Sequence, residues 1–267
     1  MRRSHLLGVA LALLAAGPAP AQSPRSVFLE DYTSAELRDA IASGTTTALI
    51  FSGSVEASGP HLALGKHNLR ARAYAERIAR ALGHTVVAPI IPAAPNAEQL
   101  MRFTGTMNVR PEIFAAFIED IARSLVTAGF TRVFLLGDHG NNQAPLKDLA
   151  SRLNAELAGR GAHVYFVSDG YAKSTAEIEA LAKSRHHIGG GHGGLWDTAE
   201  TWAVSPAAVR PALIAAGDTS GTGTLDARGV SGDPRPATAR LGREFGAIRV
   251  RNAVAEIRGL LAAEPAR

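Results

Sequence analysis

Four apolar runs read as β-strands, at 47–53 (TALIFSG), 85–91 (TVVAPII), 132–137 (RVFLLG) and 163–168 (HVYFVS), and none shows regular polar alternation. A strand with one wet face alternates apolar and polar residues, so strands without alternation are covered on both faces. Amphipathic helical patterns at 68–83, 110–129 and 142–161 separate them, and another follows at 174–184. Strands joined by helices form parallel pairs, which predicts a mostly parallel sheet between two helical layers: a three-layer α/β/α fold. A short helix capped by Thr33 or Ser34 and ended by Gly44 precedes the first strand, and a Gly-, Thr-, Asp- and Pro-rich loop at 216–240 leads to a last helix over 239–261. With 46% hydrophobic residues, the chain can bury one core, expected as a single domain over 22–267 without internal repeats.

The first 21 residues read as a secretory signal peptide. Arg2 and Arg3 are followed by an apolar segment from Leu6 to Ala16 and the small-residue pattern Ala19-Pro20-Ala21. The segment is too short for a membrane span, so the expectation is an exported, periplasmic or secreted protein with no membrane contact after processing. Removing the two arginines lowers the formal charge from +4 to +2, which argues against nucleic acid as a partner. No cysteine is present, so any metal has to be held by His, Asp or Glu.

In open α/β sheets the ligand crevice lies at the carboxyl ends of the strands. Glu56 follows the first strand, Asp138 and His139 the third, and Asp169 the fourth, which brings ionisable groups to one edge. Glu56, His61 and His67 lie within twelve positions, the usual ingredients of a metal or acid/base site, though each is also an ordinary loop residue. A second cluster, GGGHGGLWDTAETW at 189–202, carries His192 and Asp197, with Trp196 and Trp202 to dock it. Gly189, Gly191 and Gly194 match G-x-G-x-x-G in form, but no strand precedes them, so a dinucleotide loop is not expected. There is no nucleophile elbow and no Walker loop.

Several of these segments together resemble the creatininase (creatinine amidohydrolase) family. GSVEASGPHLALGKH at 53–67 is similar to its G-S-x-E-x-H-G-P-H-L-P-L-x-T-D, FTGT at 103–106 to F-P-G-T, GDHGNN at 137–142 to N-G-H-G-G-N, and HGGLWDT at 192–198 to H-A-G-x-x-E-T. The tail GVSGDPRPATARLGRE at 229–244 is similar to G-V-x-G-D-P-x-x-A-x-x-x-x-G, so the likeness spans roughly residues 28 to 260. The resemblance implies a three-layer α/β amidohydrolase with two divalent metals, a homo-oligomer and often a hexamer, acting on a small-molecule amide.

Carried over by position, Glu56 falls on the family's first glutamate and His139 on the histidine of its second metal loop. His67 falls on the bridging aspartate, and an imidazole bridges poorly because each nitrogen has a single lone pair. Ser58 and Asn141 fall on two further ligand positions, and both bind divalent ions weakly. The expectation is therefore one divalent ion, zinc with manganese or iron as alternatives, held by Glu56, His67 and His139 with one position open to water. His61, Asp138, Asn141 and Trp196 are expected to support this site or touch substrate, with Asp138 orienting a ligand and Trp196 forming an apolar wall. His192 is expected as a proton shuttle, with Asp197 holding it or touching the metal.

The expected reaction is metal-dependent hydrolysis of a nonpeptide carbon–nitrogen bond, in an amide or cyclic amide. The changes at Ser58, His67 and Asn141 keep two alternatives open. One is an exported protein of the same fold that binds a metal or ligand without turnover; the other is a two-metal site in which His67 and Ser58 compensate for one another.

Overall fold

A computed structural model of the protein describes residues 26–221 and 223–264; the segment read as a signal peptide lies outside the described residues. Helix α1 (Ser34–Ala42) opens the chain, held by a reciprocal capping box in which the Thr33 side chain accepts from Glu36 N and the Glu36 carboxylate accepts from Thr33 N. It is followed by β1 (Thr47–Ser52), α2 (Lys66–Leu82), β2 (Thr85–Val87), α3 (Pro111–Ala128), β3 (Arg132–Gly137), α4 (Gln143–Leu157) and β4 (His163–Phe166). Three helices complete it: α5 (Ala172–Ser184), α6 (Leu195–Val204) and α7 (Ala239–Ala262). No described helix is long and apolar enough to cross a membrane.

The four strands form a parallel sheet in the order β2-β1-β3-β4, with Thr47 paired to both Thr85 and Arg132, and Arg132 paired to His163. Successive side chains of a strand point to opposite faces, and here both faces are apolar. Ala48, Ile50, Val133 and Leu135 pack under Phe114 and Ile118 of α3 and Leu146 and Leu153 of α4. Leu49, Phe51, Phe134 and Leu136 pack under Tyr74 and Ile78 of α2 and Ile257 of α7. Each fully buried side chain of this size contributes roughly 1.5–3 kcal/mol, which is why strands without polar alternation settle between two helical layers.

Strand β2 is shorter than the 85–91 run predicts. Ala88 N still donates to Leu49 O, but the next bond to β1 comes from Ile91 N to Phe51 O, so the run carries one extra residue at Pro89-Ile90; this bulge ends regular pairing at Val87 and leaves an isolated bridge between Ser52 and Ile91. Helix α6, where the sequence suggests only a docked glycine-rich segment, crosses α7 with backbone contact. A Cβ on Gly242 would lie 1.8 Å from Ala199 O, so this crossing requires glycine.

The strand order places the site. Chain progression runs outward from β1 to β2 on one side and from β3 to β4 on the other, so the switch point lies between the carboxyl ends of β1 and β3. Asn142 ties those ends together, its Nδ2 donating to Ser52 Oγ at 2.8 Å and to Gly53 O at 2.9 Å.

Candidate metal centre

Glu56 sits in the irregular segment after β1, where its N–H donates to Leu64 O at 3.0 Å and closes the loop. The neighbouring Ala57 N–H donates to Thr106 Oγ1 at 3.1 Å, so the FTGT segment braces the loop from outside. His139 follows β3, and His67 lies in the first turn of α2, whose start at Lys66 instead of Asn68 turns both Lys66 and His67 inward. Glu56, His67 and His139 are buried and offer ligand atoms that all lie within 4.8 Å of one another. The two imidazole rings meet edge to face, with centroids 4.9 Å apart.

Proton positions follow from the partners. His67 Nδ1 lies 2.7 Å from Asp138 Oδ2 and 2.9 Å from Arg70 Nη2; with its proton given to the nearer carboxylate, the Nε2 lone pair faces the cluster. Glu56 Oε1 accepts from Lys66 Nζ at 2.7 Å and from Ser58 Oγ at 3.3 Å, and lies 2.8 Å from His67 Nε2. Glu56 Oε2 lies 2.9 Å from His139 Nε2 and has no hydrogen bond among the described residues. A buried carboxylate oxygen without a proton donor, beside two imidazole nitrogens, is a donor set that suits one divalent ion. Ser58 and Asn141 add nothing comparable: the Ser58 hydroxyl is turned to Glu56, and Asn141 is exposed in a groove of about 820 Å³ that Asn96 and Arg152 also line.

Two buried cations, neither singled out in the sequence, complete the centre. Lys66 Nζ touches Glu56 Oε1, His67 Nε2 at 2.6 Å and Asp197 Oδ2 at 3.1 Å. Arg70 donates to Asp138 Oδ2 from Nε at 2.9 Å and Nη2 at 2.7 Å, and to Asp197 Oδ1 from Nη1 at 2.5 Å. Burial alone would raise the Glu56 carboxyl, but the Lys66 ammonium beside it holds it well below the usual range. Asp138 and Asp197 are shifted down for the same reason, against burial, by Arg70 for the first and by Lys66 and Arg70 for the second. The available signal was the i, i+4 pair of cations in GKHNLRA: like charges one turn apart repel on an open helix face and persist where carboxylates cover them.

The remaining expected residues lie at differing distances from this cluster. His192 Nε2 is 2.9 Å from Ala57 O, which can only accept, so the proton is on Nε2 and the Nδ1 lone pair faces Glu56 Oε1 at 3.6 Å. Burial shifts this imidazole, and that of His139, below the ordinary value, so both are neutral at neutral pH. Asp197 does not hold His192: it accepts from Arg70 and from Gly193 N at 2.8 Å and pairs with Lys66, and no hydrogen bond joins it to His192 among the described residues. Gly193, at φ 65°, is what turns that N–H toward the carboxylate. His61 is fully buried and pairs with Thr198 Oγ1 at 2.9 Å, outside the donor cluster. Trp196 packs in a core cluster against the Gly191 backbone and under the Arg249 guanidinium, 5.2 Å from its ring, so it is a packing residue rather than an open wall. Solvent reaches the centre from the imidazole side: the His192 side chain is 19% exposed and that of His139 9%, against 0% for Lys66 and Asp197.

Comparison with known proteins identifies the fold and the family. The chain is similar to the mycofactocin precursor peptide peptidase of Mycobacterium tuberculosis (strain CDC 1551 / Oshkosh), 28% identical over 238 residues that cover 81% of this chain and 86% of that protein. Its fold is similar to that of a creatininase described with manganese, at a TM-score of 0.76 and 20% identity, covering 88% of this chain and 98% of that one. A variant creatininase of zinc–zinc type matches with the same TM-score, identity and coverage. Residues 30–257 match the family described as creatinine amidohydrolase, and the chain belongs to the creatininase family.

Proposed function

We propose that the protein is an exported amidohydrolase that cleaves a carbon–nitrogen bond in a small nonpeptide amide or cyclic amide with one divalent ion, zinc before manganese or iron. The observation that carries this reading is the cluster of Glu56, His67 and His139 at the sheet's switch point, with the His192 Nδ1 lone pair turned to it. Glu56, His67 and His139 would hold the divalent ion, which would supply Lewis acidity toward the scissile carbonyl. His192 Nδ1 takes the proton of the attacking water and hands it to the leaving nitrogen, which departs as a neutral amine. Ala57 O fixes the tautomer this needs by holding the proton on Nε2. Asp138 orients His67 through Nδ1, and the Lys66–Arg70–Asp197 network keeps the floor of the site dry and rigid. Export rests on the leader at 1–21, and assembly into a homo-oligomer on the likeness to the family.

A second reading, binding without turnover, is favoured by the polar contacts of Lys66 on two of the three donor groups. The experiment that separates the two is amine release by the purified protein, stripped and reloaded with zinc or manganese. The panel holds creatinine, other cyclic and linear amides, and, because one relative is a peptidase, short peptides. Metal-dependent turnover lost in His192→Ala supports the hydrolase; metal uptake with no turnover on any member supports binding alone.

A further inference from the structure

The Lys66 side chain is completely buried, and its ammonium has three N–H groups and three acceptors: Glu56 Oε1 at 2.7 Å, His67 Nε2 at 2.6 Å and Asp197 Oδ2 at 3.1 Å. His67 Nε2 and Glu56 Oε1 lie 2.8 Å apart, and Lys66 Nζ lies within 2.7 Å of both. Because Nδ1 of that ring donates to Asp138, Nε2 brings a lone pair to within 2.8 Å of a carboxylate oxygen, an approach that is repulsive unless a cation bridges the two. Lys66 is that bridge.

We propose that the Lys66 ammonium is a tethered cation built into the metal centre, which fills one cation position permanently, restricts the protein to a single divalent ion and lowers its affinity for that ion.

Charge supports the assignment. Glu56, Asp138 and Asp197 bring three negative charges and Lys66 and Arg70 two positive ones, all buried, which leaves one negative charge for an added ion to offset. One dication overshoots this by one charge; two would leave three uncompensated positive charges out of water, which is strongly unfavourable. The division of the Glu56 carboxylate agrees: Oε1 is taken by Lys66 and Ser58, while Oε2, beside His139, has no hydrogen bond among the described residues. Lys66 also approaches an atom, His67 Nε2, that the ion itself would use, so the two compete for one lone pair.

The proposal rests on the metal centre and not on turnover, so it is tested without substrate. Chelator-stripped protein is titrated with zinc and with cobalt(II), following bound metal per chain by elemental analysis, affinity by calorimetry and the cobalt visible spectrum. Wild type is expected to bind no more than one ion per chain. Lys66→Met removes the charge at similar length, and Lys66→Gln keeps a hydrogen-bond donor for Glu56 and Asp197 should the methionine variant not fold. Either folded variant is expected to bind at least ten-fold more tightly or to take up a second ion, with a stronger cobalt spectrum. Two ions bound per wild-type chain, or folded variants that bind no more tightly and no more metal than wild type, overturns the proposal. Loss of amide hydrolysis alone leaves it standing and counts only against the hydrolase reading.

Discussion

Arg70 clamps Asp138 with two N–H groups on one carboxylate oxygen, Nε at 2.9 Å and Nη2 at 2.7 Å, and does so with none of its side chain in water. Its third nitrogen reaches Asp197, so one guanidinium from the second turn of α2 joins the loop after β3 to the start of α6. Arg70→Met would fit the space and leave two buried carboxylates short of a partner. Breaking a buried pair in this way costs about 3–5 kcal/mol, far more than an exposed pair is worth. Urea unfolding of the metal-free protein measures it, and a loss below about 1 kcal/mol would show that Lys66 and water compensate.

Asp138 acts on the metal through His67. Its Oδ2 accepts the Nδ1 proton at 2.7 Å, which sets both the ring's orientation and the lone pair on Nε2. Carboxylates that hold a ligating histidine in this manner change metal affinity by roughly 10–100-fold when removed. Asp138→Asn is expected to weaken zinc binding within that range, read by competition with a chromophoric chelator. An affinity within about three-fold of wild type would mean that His67 keeps its orientation without the charge.

The layers of the fold and the edge that carries the chemistry are legible in the sequence because they depend on strong, local patterns. The β1 and β3 runs read as buried strands, and Glu56 and His139 follow from where those strands end. Helix α6 is not legible, since Asp197, Thr198, Glu200 and Thr201 are all buried in it and mask the apolar stripe that marks an amphipathic helix. Lys66 and Arg70 escape notice for a related reason: a charged residue reads as a solvated one until its carboxylate partners, which come from 10 to 131 positions away, are brought beside it. The expected hold of Asp197 on His192 is absent on the same network, because the sequence does not show that two cations would claim the carboxylate before His192 could.

His192 can be separated from the metal ligands by what its loss leaves intact. Its Nδ1 faces Glu56 at 3.6 Å, too far for a hydrogen bond, while its Nε2 is held by the backbone. His192→Ala should therefore lower kcat by about 10²–10⁴-fold, the usual contribution of a general acid–base group, with metal content unchanged. A parallel loss of bound metal would make it a ligand instead.

Acid should destabilise the metal-free protein in two stages, and His61 makes the first one testable away from the metal donors. This ring is fully buried, Nδ1 has no partner among the described residues, and burial holds its pKa below the ordinary value. Above about pH 6.5 the ring is neutral in the folded and unfolded chain alike, so its stabilising contribution is complete. Below that pH the unfolded chain binds a proton that the folded ring resists, and stability falls until the folded value is passed. His139 and His192, also shifted down by burial, add to the same decline. Below about pH 4 the second stage begins, as Asp138, Asp197 and Glu56, all held low by the buried cations, lose ion pairs that the unfolded chain does not have. Urea midpoints measured at pH 7.5, 5.5, 4.0 and 3.0 should fall at each step, and His61→Gln should shrink the fall above pH 4 without changing the fall from pH 4.0 to 3.0. A midpoint that is level or rises between pH 7.5 and 5.5 would contradict the assignment of neutral, buried imidazoles.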